Sequence, residues 1–114
     1  MGYYSEVYLG IEPALVEELL TFVGINKEVF NLMFKDATET IKTKNGGMLF
    51  HWNHIKWYNS QFPEIEQLED WLMEDDRDEA FKFIRMGEEY GDSTVEGHSE
   101  EFEFYPQQSI DVHY

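Results

Sequence analysis

The apolar positions along the chain change period several times, and each change predicts an element. From Tyr4 to Ile11 they alternate, with Val7 and Leu9 on one side and Glu6 and Tyr8 on the other, which predicts a half-buried strand. Pro13 suits a first helical turn, and Leu15, Leu19, Phe22 and Val23 then recur at helical spacing above Glu17 and Glu18, with Gly24 as the expected end. Asn26 predicts the N-cap of a second helix. Ile25 and Phe30 are placed there as a hydrophobic staple, and Val29, Phe30, Met33 and Phe34 as its apolar stripe. Thr38 to Lys44 predicts a strand exposed through Lys42 and Lys44. Asn45-Gly46 predicts a type I′ turn that returns the chain into a strand over Met48–Trp52, with Ile55 to Tyr58 irregular or a short helical turn.

Pro63 opens a third predicted helix, in which Ile65, Leu68, Trp71 and Leu72 form the inner stripe. Glu64, Glu66, Glu69, Asp70 and Glu74 form the outer one. The first-turn acids suit the helix dipole, whereas Glu74 and Asp75 at the far end oppose it. After the acidic turn Glu74–Glu79, Phe81–Met86 is apolar on both sides and predicts a central strand. Gly87 to Ser93 reads as a loop and Thr94–Glu96 as a short strand. The alternation at Phe102 and Phe104, and at Ile110, Val112 and Tyr114, predicts further strands around Pro106. There is no internal repeat and no long linker. The order β-α-α-β-β-α-β-β-β predicts a single α+β domain over residues 1–114, with about three helices on one face of a mostly antiparallel sheet.

Charge changes this picture. The 114 residues carry 24 acids against 8 Lys and Arg, a net charge of −16, yet 17% are aromatic, which excludes a disordered acidic tail. Residues 1–63 are close to neutral at −2, while residues 64–103 hold sixteen acids against Arg77, Lys82 and Arg85, a net of −13. A small domain needs a charge of magnitude only about 2–8 for solubility, and the excess opposes compaction. The charge also repels anionic membranes and bare nucleic acid, so neither is an expected partner.

Candidate chemistry is sparse. The chain has no cysteine, which excludes disulfides, thiolate metal sites and Cys nucleophiles. No apolar run approaches the roughly 20 residues of a membrane span, and no basic leader follows Met1, so a soluble intracellular protein is expected. His51 and His54 are three residues apart, but in a strand that spacing turns them to opposite faces. They read as surface or hydrogen-bonded histidines, and His98 and His113 as exposed ones. The acids of Glu74–Glu79 lack the alternating ligands and mid-loop glycine of an EF-hand. No nucleophile elbow, phosphate loop or dinucleotide fingerprint occurs, so no enzyme activity, cofactor or metal is expected. Among the large aromatics, Trp52 and Trp71 read as core. Trp57 and Tyr58, beside Lys56, are expected to be the most exposed and to serve as contact anchors.

Tyr3-Tyr4-Ser5-Glu6-Val7, then Trp52 followed by Ile55-Lys56-Trp57-Tyr58, then Phe83-Ile84-Arg85 with Gly87-Glu88, resemble small acidic proteins encoded by bacteriophages and prophages. The resemblance runs to about residue 96. It implies a phage setting and residence in the host cytoplasm, and transfers no catalytic residue. Arg85 is expected to pair with Glu6 or Glu88 and fix the sheet.

In that setting, closely spaced carboxylates can imitate the phosphates of a nucleic acid and occupy the basic groove of a host defence protein of restriction or CRISPR type. The expected contact residues are Glu66, Glu69, Asp70, Glu74, Asp75, Asp76, Asp78, Glu79, Glu88, Glu89, Asp92 and Glu96, with Trp57 and Tyr58 as anchors. The alternative is an inhibitor or adaptor that works through shape and apolar contacts. A small-ligand protein would require a deep pocket with convergent polar groups. The aromatic content is also compatible with a homodimer.

Overall fold

Strand β1 (Ser5–Ile11) occupies the middle of a five-stranded antiparallel sheet in the order β2 (Glu39–Lys42), β3 (Met48–Ile55), β1, β4 (Phe81–Met86), β5 (Ser93–Glu96). The computed structural model describes residues 4–58, 61–74, 77–87, 93–99, 102–105 and 111–113. Val7, Leu9 and Ile11 stand opposite Trp52, Phe50 and Met48 of β3, and Leu9 and Ile11 opposite Phe83 and Phe81 of β4. Those side chains share one core with helices α1 (Pro13–Gly24), α2 (Lys27–Phe34) and α3 (Pro63–Leu72). The alternation and the helical stripes therefore meet as anticipated, with three helices on one face of an antiparallel sheet.

Trp52 fastens the two layers together, because its indole N–H donates to the Leu32 carbonyl of α2 at 2.9 Å while its ring is fully buried. At the other side of the helix layer, Phe22 of α1 stacks on Trp71 of α3 with centroids 5.1 Å apart.

The opposite face of the sheet carries a smaller cluster of Leu49, Ile84 and Phe102. It depends on Gly10. A Cβ there would lie 2.4 Å from the Phe102 ring, so the missing side chain makes the seat for that ring. Beyond Phe102, β6 (Glu103–Tyr105) and β7 (Asp111–His113) pair as a separate two-stranded sheet. Ile110 and Tyr114, expected in the last strand, lie outside the described residues.

Several local expectations are corrected. The β2–β3 hairpin is not a two-residue type I′ turn. Lys42 pairs with Met48, Thr43 N–H donates to Gly47 O at 3.0 Å, and Gly46 N–H donates to Thr43 O at 3.1 Å. This leaves a three-residue loop in which Gly46, at φ 93°, takes the left-handed position. The predicted staple does not form, since Ile25 is 81% exposed and Phe30 stacks outward on Phe34. Leu32 takes the buried place on α2 that Phe30 was expected to fill. Asn26 does precede α2, but its side chain donates back to Phe22 O at 2.9 Å instead of capping forward. Strand β3 runs on to Ile55, and it does so through a bulge. Val7 pairs with Trp52 and Ser5 with Ile55, so Asn53 and His54 together face one residue of β1.

Arg85 does not pair with Glu6. It lies on the helix side of the sheet opposite Val7, and donates to the hydroxyls of Ser5 (3.2 Å) and Thr94 (3.3 Å), whereas Glu6 points to the other face. Glu88 lies outside the described residues.

The seat at Gly10 gives a direct test. Gly10→Ala is expected to destabilise the protein by about 1–3 kcal/mol through overpacking. In denaturant titrations the same substitution in a Phe102→Ala background should cost far less, because the obstructing ring is gone.

Candidate partner-binding surface

Among the described residues, most carboxylates of the acidic half lie on α3 and in the turn that leads into β4. The inner stripe of α3 is buried as Ile65, Leu68, Trp71 and Leu72, so its exposed residues are Pro63, Glu66, Gln67 and Asp70. Glu66 and Asp70 are one turn apart, about 6 Å along the axis. Glu74, just past the helix, is exposed as well, and so are Asp78 and Glu79 in the single 3₁₀ turn Arg77–Glu79. Asp75, Asp76, Glu88, Glu89 and Asp92 lie outside the described residues.

The two arginines of this half turn largely away from that surface. Arg77 turns inward: its guanidinium carbon lies 4.4 Å from the Trp71 ring centroid, and Nη1 donates to Trp71 O at 2.8 Å and to Glu74 Oε1 at 3.3 Å. Its Nε lies 3.7 Å from Glu18 of α1. Arg85 is held under the helix layer by the two hydroxyls. Glu18 thus joins the acidic side from the first half of the chain, which its place in a solvent stripe of α1 did not reveal.

Two of the expected contact residues are partly withdrawn. Glu69 is half-buried and accepts a hydrogen bond from the Trp57 indole N–H at 2.9 Å. Glu96 is half-buried on β5, opposite Phe83. The Trp57 ring also contacts Trp52 (5.1 Å) and Phe83 (5.7 Å).

Trp57 is therefore a correction. It is buried at 7% exposure and belongs to the main core, so it cannot serve as a surface anchor. The reason is that irregular residues 56–58 carry the chain across from β3 toward α3, and the large apolar ring fills the space between these elements while Glu69 satisfies its N–H. Tyr58 is half-buried, and its carbonyl accepts from the N–H groups of Gln61 and Phe62 in the turn into α3.

His51, His54 and His98 are engaged by neighbours. His51, on the sheet face away from the helices, stacks on Tyr8 and lies 2.9 Å from Glu6 and 3.7 Å from Glu39, one carboxylate at each ring nitrogen. Carboxylates on opposite edges of one ring do not converge on a common ion. Among the described residues no group of three or more His, Asp or Glu side chains is arranged to hold a metal, and no helix is long and apolar enough to cross a membrane. His54 stacks on Tyr4, and His98 lies 3.9 Å from Asp78.

No family model, no curated protein and no solved structure matches the chain.

Burial of Trp57 yields an expected outcome that a surface role would not. Trp57→Ala should lower unfolding free energy by about 3–5 kcal/mol, as for other large core truncations. Trp57→Phe, which keeps most of the packing and loses the bond to Glu69, should cost about 1–2 kcal/mol. Chemical denaturation of the two variants measures both.

Proposed function

We propose that the chain is a phage-encoded binding protein of the host cytoplasm. It inhibits a host nucleic-acid-binding defence protein, of restriction or CRISPR type, by presenting carboxylates where that protein accepts phosphates. The observation that carries this reading is a set of exposed acids beside inward-turned arginines: Glu66, Asp70, Asp78 and Glu79 face solvent, while Arg77 packs on Trp71 and takes Glu74, and Arg85 lies on the helix side of the sheet. Arg77 pairs with Glu18 and Glu74, yet a net charge of −16 leaves a large excess of acids, and their field accelerates encounter with a basic groove. The activity is binding, with no catalytic step.

A second reading draws on the α1–α2 hairpin, where Leu20 (46%), Ile25 (81%) and Phe30 (39%) are exposed. Under it the partner is held through apolar contacts and the acidity serves solubility.

Capture of partners on the tagged protein from infected-host extract, followed by affinity measurement with the purified partner, separates the two. Mimicry predicts competition by duplex DNA or RNA and a loss of affinity of at least about tenfold between low and moderate salt. It also predicts that Glu66→Lys with Asp70→Lys slows association. Affinity that is flat with salt, indifferent to nucleic acid and destroyed by Ile25→Asp would replace mimicry with the apolar reading.

A further inference from the structure

The bulged end of β3 forms one wall of a cleft of about 290 Å³, closed on its other sides by the exit of α2 and the entrance of α3. Five consecutive residues, Trp52 to Lys56, line it. A regular strand would send alternate residues to opposite faces, so this convergence is a product of the bulge at Asn53–His54. Leu32, Trp52 and Ile65, each at most 3% exposed, form an apolar floor, and half-buried Ile55 and Phe62 form the sides.

The charges around the cleft select the sign of an occupant. Asp36, just after α2, and Glu64, in the first turn of α3, contribute carboxylates to the lining, and no described residue bonds to either one. The lining cation Lys56 is drawn toward Tyr4, its ammonium 5.6 Å from that ring, and the His54 imidazole stacks on the same ring at 3.8 Å. Helix α2 points its negative end toward the cleft, and Lys35 at its C-cap is exposed and is not part of the lining. The positive end of α3 opposes this, but Glu64 and Glu66 in its first turn offset it. A net charge of −16 on the whole chain acts in the same direction.

We propose that this cleft is a socket for an arginine side chain of the basic partner. The aliphatic stem covers Ile55 and Phe62, and the planar guanidinium, with five donors in a fixed fork, spans Asp36 and Glu64 as a compact ammonium does not. The inference rests on the reading that the partner is basic. It supplies what charge alone does not: an anchor seated on a buried apolar floor that slows release, the part Trp57 was expected to play.

The test titrates the full chain with N-acetyl-arginine amide, with its uncharged citrulline analogue and with N-acetyl-lysine amide, followed by backbone and indole NMR shifts. The socket predicts saturable shifts confined to Asp36, Trp52–Lys56 and Phe62–Ile65, with the other two ligands weaker by on the order of tenfold. Asp36→Asn with Glu64→Gln, shown folded by circular dichroism, should lose a comparable factor, while Glu17→Gln with Glu28→Gln, exposed on α1 and α2 outside the cleft, changes affinity less than about twofold. Unsaturable shifts spread along α3, an equal response to citrulline or lysine, or full affinity in the folded Asp36/Glu64 variant would overturn it. Arginine binding without any salt-sensitive basic partner would sustain the socket and remove the mimicry reading, and the reverse result would remove the socket alone.

Discussion

The molecule depends on the burial of one short strand by residues distant from it in sequence. β1 is flanked on one side by β3, about forty residues later, and on the other by β4, about eighty. Its Val7, Leu9 and Ile11 have no exposed surface, and each fully buried side chain of this kind contributes about 1.5–3 kcal/mol. The helices gain their place by covering that row, and Trp52, Trp57 and Trp71 fill the gaps between helix and sheet. Without this core nothing would hold the acidic half against the rest.

The opposing force is modest per pair and extended in space. Two carboxylates one helical turn apart repel by about 0.7 kcal/mol in bulk water, less than the burial of a single core side chain stabilises. The fold can therefore carry an exposed acidic stripe without neutralising it. Arg77 shows which interaction wins locally, because its guanidinium lies on Trp71 and bonds to the Trp71 carbonyl, reaching only Glu74 and Glu18 among the acids. Packing sets the place of the cation and leaves most of the anions to the solvent.

Most of the architecture was legible because its signals are periodic and repeated. Val7 and Leu9, the stripe Leu15–Leu19–Val23, and Ile65–Leu68–Leu72 each declare a period and a buried side, and Pro13 and Pro63 mark helix starts that the structure retains. What escaped depends on partners remote in sequence. Trp57 follows Lys56 in a segment with no period, and only the arrival of α3 and β4 makes its site a core. The bulge at Asn53–His54 is set by register against β1, which local sequence does not encode, and the cleft it creates was equally hidden. Asn45-Gly46 signalled a hairpin correctly, but the loop length was decided by the pairing of Lys42 with Met48. Of the candidate surface, the outward acids of α3 followed from helical period, whereas the half-burial of Glu69 and the inward turn of Arg77 did not.

An excess of carboxylates on α3 and the following turn, beyond the Glu18 and Glu74 that Arg77 pairs, stands on a fold held together by its apolar core. Its most direct measurement is unfolding free energy as a function of sodium chloride from about 20 to 500 mM, a range over which the screening length falls several-fold. Excess acids predict that stability climbs steadily with salt, and that the climb shrinks when Glu66, Asp70 and Glu79 are made neutral. Stability that is flat or falls with salt would mean that the charges are paired within the fold, and the account would be wrong.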